Sequence, residues 1–437
     1  MSAAPRLNIW HPFTQAHVDP PPLPILRAEG AYLYTTDGRR IIDAISSWWV
    51  NLHGHCHPHI AKAVAAQAEK LDHVLLAGFS HEPVERLTRK LSRFVPAALT
   101  NIFYSDDGST AVEVALKLAI QYWTNRGRRD KQEIIALDHA YHGDTAGAMS
   151  VSADCGFTAP FFRLRFPVHR VHSAYCARCP VGKRRSECVI DCIQSLRTTL
   201  EQSSDRIAAM IVEPLLQGAG GMIVHPVEFL KEIRRLCDQY EVLLIADEVL
   251  TGFGRCGKMF ACEIAEVVPD LMCISKGITG GFLPLGATLC TEVVYKEFSG
   301  EGRTFFHGHS YTGNPLACAA AVANLEIFEI ENVWERIDAI AALHRQRLAH
   351  FSSHPDVLEI RQLGTVAVIE LKAEDAGYFS MVKPRLYQFF LERGVLLRPL
   401  GHVIYVLPPY CINSEDLNLV YDVIQEAIGS VRSCAMT

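Results

Sequence analysis

Short apolar runs punctuate the middle of the chain: NIFYSD (101–106), EIIALD (133–138), AAMIVE (208–213), VLLIAD (242–247), LMCIS (271–275) and LGATLC (285–290). Runs this continuous read as strands buried on both faces, which predicts an α/β protein with a mostly parallel sheet. Between them, STAVEVALKLAIQYWTNR (109–126) and residues 227–240 place apolar positions at helical spacing, the first behind a Gly-Ser pair suited to a helix N-terminus. Functional groups are then expected along the carboxyl ends of the strands.

Past NPLACAAAVANLEIFE the pattern changes. It predicts a long helix near 332–352, two strands within 356–371, a helix near 382–393 and a strand pair enclosing RPLGHVIYVLPP. This suggests a smaller α+β unit over 325–437 beside a large α/β unit over 61–324. Residues 1–60 contain a hairpin, AYLYTTDGRRIIDA with an Asp-Gly turn, expected to dock on the small unit or on a partner subunit.

Composition narrows the function. The chain has 437 residues, 49% of them hydrophobic, enough for a sizeable core. A formal net charge of -6 with scattered Lys and Arg gives no footprint for nucleic acid. No apolar run reaches the roughly 18 residues of a membrane span, and the opening MSAAPRLNIWHPFTQ lacks a signal-peptide layout. Most of the 14 cysteines sit singly in apolar runs, as reduced core thiols do, so a cytoplasmic protein is expected.

Lys276 ends LMCIS and meets a glycine-rich turn, where an ammonium must be paired, solvated or chemically used. Asp247 ends VLLIAD, 29 positions earlier, so both groups can reach one rim of the sheet. That pair suits pyridoxal phosphate, which takes a lysine for its Schiff base and an acid for its pyridinium nitrogen. A surface lysine in a glycine loop is the plain alternative. Gly108 and Ser109, between a strand and a helix, offer amides for a phosphate or an ordinary helix cap. Tyr141 and His142 follow EIIALD at the same rim, where the tyrosine could stack on a ring or simply be buried.

Three other patterns invite different chemistry. GFGRCG (252–257) spells G-x-G-x-x-G, but four residues, Glu248 to Thr251, separate it from the strand and no acid-ended strand follows about 20 residues on, so no dinucleotide site is expected. The histidines His53, His55, His57 and His59 alternate in a loop broken by Gly and Pro, a poor arrangement for three convergent metal ligands. Cys176, Cys179, Cys188 and Cys192 form C-x2-C-x8-C-x3-C, a spacing open to structural zinc, two disulfides or reduced thiols. Reduced thiols are the expectation, with no metal.

The set GS, YHGD, EPLLQGAGGM, DEVLTGFGRCG, SKGITGG, HGHSYTGNPLA and RPLG, in that order and over nearly the whole chain, resembles the class III, ω-type aminotransferases of the fold-type I pyridoxal phosphate family. The resemblance implies that Lys276 is the Schiff-base lysine, Asp247 the pyridinium partner and Tyr141 the ring-stacking residue beside His142. It also implies a homodimer with shared sites, His309 and Ser310 of the other subunit joining Gly108 and Ser109 at the phosphate. IWHPFTQ, SSWW, GDT, QYW and LRPLGHVIYVLPPY resemble most the branch that aminates 7-keto-8-aminopelargonate for biotin synthesis, usually from S-adenosylmethionine. Trp48, Tyr141, Gly308 and Arg398 match that branch's substrate contacts, with Arg398 on the carboxylate, and Phe13 stands where its best-known members carry a tyrosine. HGHSYTGNP, HPFTQ and IRQLG together resemble variants that use lysine as donor, whereas the retained Trp48 does not. Another ω-amino acid or diamine transaminase, or a zinc-bearing module without catalysis, are the competing readings.

Overall fold

The six predicted strands are joined by a seventh in one sheet of the computed structural model, which describes residues 9–434 apart from 16, 157, 374–379 and 381. In chain order they are β1 (Leu99–Ser105), β2 (Glu133–Leu137), β3 (His169–Val171), β4 (Ile207–Val212), β5 (Leu243–Asp247), β6 (Leu271–Ile274) and β7 (Gly286–Thr291). Their spatial order is β1-β7-β6-β5-β4-β2-β3. Pairing is parallel from β6 through β3, and β7 alone runs against its neighbours β6 and β1. Every residue of β4, β5 and β6 is buried, the physical basis of their unbroken apolar runs. The strand that the pattern did not predict, β3, has three residues at a sheet edge, too few for a periodic signal.

Helix α1 (Gly108–Asn125) covers one face of the sheet and buries Val112, Leu116, Ala119 and Trp123 among others. The helix Pro315–Ile330 packs on Pro58–Ala68 and Glu82–Leu91 and runs unbroken through 324–325.

The expected hairpin forms as Tyr32–Thr35 against Arg40–Asp43. The two strands around RPLG exist, but they are not partners. Val395–Leu396 pairs in parallel with Arg40–Asp43, whereas Val403–Val406 pairs with Val366–Leu371 in a separate three-stranded sheet. Between them a tight turn reverses the chain, with Leu400 and Val403 exchanging backbone hydrogen bonds. A partner some 350 positions away leaves no mark on local periodicity. Among the described residues no helix is long and apolar enough to cross a membrane.

Candidate active site

A cavity of about 440 Å³ opens at the carboxyl ends of the strands. Gly108, Ser109, Tyr141, His142, Asp247 and Lys276 all line it, so the sheet gathers residues scattered over 169 positions, from 108 to 276. This is the size of a small-molecule site.

The anion end is built by α1. Asp107 caps the helix, its carboxylate accepting the Thr110 amide at 2.9 Å and its carbonyl the Ala111 amide at 3.0 Å. The first amides, of Gly108 and Ser109, are left for an anion at the positive end of the helix. Neighbouring backbone keeps the cradle open: a Cβ on Gly143, whose φ is +127°, would stand 2.0 Å from Ser109 Oγ.

Lys276 follows β6 and opens a 3-10 turn, Lys276–Thr279, with its own φ at +29°. Asn324, buried on the helix Pro315–Ile330, holds that turn by donating to Gly277 O at 3.0 Å and Ile278 O at 3.1 Å. Lys276 Nζ lies 5.2 Å from the centre of the Trp49 ring and has no hydrogen-bond partner among the described residues. Burial lowers its pKa, against the opposing pull of Asp247 and Glu213. Asp247 is oriented from two sides, by His142 Nδ1 at 2.7 Å and the Val249 amide at 3.0 Å. His142 Nε2 is buried without a hydrogen-bond partner among the described residues.

Two acids beside this pair carry no role in the sequence reading. Glu213, fully buried where β4 ends, accepts the amides of Tyr141 at 3.0 Å and Gly218 at 2.8 Å. Burial pushes its carboxyl up to about 7. Since AAMIVE ends on this residue, the strand-end rule that picks out Asp247 also picks out Glu213. Glu248 has a similarly raised carboxyl, again near 7 from burial, but points elsewhere. It accepts the amides of Ala261 at 3.0 Å and Cys262 at 2.7 Å and so starts the helix Ala261–Ile264.

The substrate side is shaped by an unusual turn. Ser46, Ser47, Trp48 and Trp49 have φ of 53°, 45°, 70° and 77°, one turn of left-handed helix without a glycine. Left-handed backbone costs roughly 1–2 kcal/mol per non-glycine residue, so surrounding contacts must supply several kcal/mol. One brace is Arg255, buried within GFGRCG, whose guanidinium donates to the carbonyls of Trp49 at 3.3 Å, Asn51 at 3.0 Å and Pro408 at 2.9 Å. That motif supports the wall of the site. Trp48 packs edge-on against Phe13, ring centres 5.3 Å apart, and Arg398 Cζ sits 4.5 Å above its ring. Phe13, Trp48 and Arg398, like Gly308, His309 and Ser310, do not line the cavity, which Trp49 alone of the four turn residues does; His309 Nδ1 lies 3.0 Å from Asp106 Oδ2, just before the anion cradle.

The arrangement suits a flat, phosphorylated pyridine aldehyde: amides for the phosphate, an amine for the aldehyde, a carboxylate for the ring nitrogen. The histidine cluster disperses. His55 bonds Asp43, His57 bonds Glu331, His59 bonds Glu326, and His53 is buried against Phe328 and Tyr410. Cys176, Cys179, Cys188 and Cys192 are free thiols around a small second pocket, while Arg178 within their loop bonds Glu370. Among the described residues no three His, Cys, Asp or Glu side chains are grouped to hold a metal ion.

Comparison with known proteins agrees with this geometry. The profile of the aminotransferase class-III family matches residues 13–428. An adenosylmethionine-8-amino-7-oxononanoate aminotransferase of Synechococcus elongatus is 45% identical over 429 residues, 97% of this chain and 99% of that protein. The crystal structure of the Methanocaldococcus jannaschii protein of the same description superposes with a TM-score of 0.90 at 37% identity, covering 97% of both chains. An amine transaminase from an uncultivated Pseudomonas species, solved in its PLP-bound form, gives 0.92 at 32% identity, covering 98% and 99%.

Proposed function

The chain belongs to the class-III aminotransferases, and from that membership we propose that it is a pyridoxal-phosphate-dependent transaminase of biotin synthesis. It converts 8-amino-7-oxononanoate, the 7-keto-8-aminopelargonate of the sequence reading, to 7,8-diaminopelargonate, with S-adenosylmethionine as donor. The observation that carries this is full-length similarity to several proteins of that description, at 37–45% identity.

The residues present fit the cofactor. Gly108 and Ser109 would hold its phosphate, Asp247 its ring nitrogen and Lys276 its aldehyde carbon, with Tyr141 against the ring. When bound, pyridoxal phosphate supplies an electron-withdrawing ring that weakens the bonds at the amine-bearing carbon. Asp247, fixed by His142 and Val249, keeps a proton on the ring nitrogen. Lys276, once its amine is free, would take the proton from Cα of the donor and deliver it, on the same face, to the cofactor's aldehyde carbon. Burial favours the neutral amine this step requires. Arg398 takes the acceptor's carboxylate, a task suited to a planar, permanently charged fork. Trp48 and Phe13 keep water from the methylene chain. Donor and acceptor use one cavity in turn, so ping-pong kinetics follow.

A homodimer in the cytoplasm completes the proposal, with His309 and Ser310 reaching the partner's phosphate cradle. In support, Trp10 and Phe306 are 93% and 87% exposed, apolar surface that a partner subunit would cover. We divide the chain into residues 1–60, a cofactor-binding unit and a C-terminal unit best begun after Ile330, where the long helix ends. The pairing of Val395–Leu396 with Arg40–Asp43 supports grouping the first segment with the last.

The test is an absorbance titration of the purified holoenzyme with S-adenosylmethionine and, separately, lysine. The true donor discharges the lysine-bound chromophore, and adding the keto acid then restores it and yields diaminopelargonate. Discharge by lysine alone would move the donor assignment to lysine. Product from 2-oxoglutarate and a diamine, with none from the keto-aminopelargonate, would replace the proposal by a general ω-transaminase.

A further inference from the structure

One of the four alternating histidines closes a buried network behind the substrate wall. Asp43, completely buried at the end of the strand Arg40–Asp43, accepts the Ile45 amide at 3.3 Å, the Ser47 amide at 2.9 Å and the Ser47 hydroxyl at 2.7 Å. It also meets Nε2 of His55 at 2.8 Å. A carboxylate only accepts, so Nε2 carries the imidazole proton and Nδ1 is free to accept from Asn51 Nδ2, at 3.0 Å. One imidazole therefore links the carboxylate that caps the start of the left-handed turn to Asn51, two residues past its end.

That turn has no glycine to make it cheap, and the network bonds to its own amide and hydroxyl at Ser47. Its two indoles face different partners, Trp48 toward Arg398 and Trp49 toward Lys276. Lys276 itself is held independently, by Asn324 and by the Ser275 hydroxyl on Leu285 O at 2.7 Å. Loss of the network should therefore disturb the substrate wall and leave the lysine in place. An ordinary buried network that only stabilises the fold would disturb neither selectively.

We propose that Asp43 and His55 are positioning residues for substrate recognition: they hold Ser46–Trp49 left-handed and thereby set Trp48 against Arg398 where the acceptor binds. The identity of the acceptor rests on the function proposed above; the role of the network does not.

The test compares wild-type, Asp43→Asn and His55→Phe holoenzymes. The expected result is a KM for the keto-aminopelargonate raised about tenfold or more at a kcat within about threefold, the scale on which small misplacements of a binding wall act. Near-ultraviolet circular dichroism, dominated by the tryptophans, changes in the same variants, while discharge of the lysine-bound cofactor by hydroxylamine keeps its wild-type rate. Adding Ser47→Gly to His55→Phe recovers much of the lost affinity, because glycine holds a φ of 45° without strain. Unchanged KM and dichroism in both variants would overturn the proposal. So would parallel losses of substrate affinity, hydroxylamine reactivity and thermal stability without rescue by glycine, the signature of a purely structural role. If wild type does not turn over the keto acid, the proposed function fails, and dichroism with hydroxylamine reactivity still decides the role of the network.

Discussion

Replacing Glu213 by glutamine should reverse its own effect on stability between pH 5 and pH 8. In the cavity, burial raises this carboxyl from its ordinary 4.5 to about 7. The folded state then binds the proton more tightly than the unfolded chain, so stability is fully present below pH 4.5 and is lost as pH rises through 7. A rise of that size corresponds to about 3 kcal/mol. Glutamine does not titrate, but it cannot replace both oxygens. Each accepts an amide, from Tyr141 or from Gly218, and the glutamine NH2 must face one of them, leaving a buried donor unpaired at about 1–3 kcal/mol. At pH 5 only that loss operates, and Glu213→Gln is the less stable protein. By pH 8 the wild type carries a buried charge, and the variant matches or exceeds it. For a chain of this length 3 kcal/mol corresponds to a relative shift of roughly 3 °C in Tm. Thermal unfolding of both cofactor-free proteins across this range measures it, and parallel pH curves would refute the reasoning.

Lys276→Ala should purify without the visible absorbance of a lysine-bound cofactor and show no transamination, as absorbance and product assays will report. Gly143→Ala forces a Cβ to within 2.0 Å of Ser109 Oγ at a φ glycine alone tolerates, so the dissociation constant for pyridoxal phosphate should rise about tenfold or more by fluorescence titration. Burial pulls buried Lys131 down to about 8, so the unfolded chain binds the extra proton between pH 8 and 10.5 and stability rises across that window. Lys131→Met should therefore be more stable relative to the wild type at pH 7 than near pH 10.5, as thermal unfolding will report; a difference constant with pH would refute the assignment.

Strand ends were legible because a buried strand needs an uninterrupted apolar run, and the polar residue that stops it lies at the sheet rim. Asp247 and Lys276 were found that way. Asp247 and Glu248 are adjacent, yet only the first lines the cavity, since successive side chains leave opposite faces of the backbone and Glu248 turns to the helix Ala261–Ile264. The left-handed turn was not legible. Ser-Ser-Trp-Trp carries no local signal for positive φ; the conformation is imposed by Asp43, His55 and Arg255, of which Arg255 is about 200 positions away. The partner of Val395–Leu396 was hidden for the same reason.

Arg255, Lys131 and Lys276 lie away from any carboxylate salt bridge among the described residues, and their surroundings separate the reactive one from the structural ones. Arg255 keeps its charge at any accessible pH, so three carbonyls and the Tyr410 ring, 5.1 Å away, must solvate it. Lys131 donates to the carbonyls of Ile207 and Glu241 beneath the Trp123 ring, 4.2 Å away, which gives its ammonium a reason to stay protonated. Burial also lowers the Lys276 pKa, but among the described residues it has no carbonyl to donate to, only an indole on one side and an open cavity on the other. Its lone pair is thus both available and directed at space a carbonyl compound can fill. A depressed pKa alone would nominate both lysines; the absence of hydrogen-bond acceptors among the described residues around Lys276 is what singles it out.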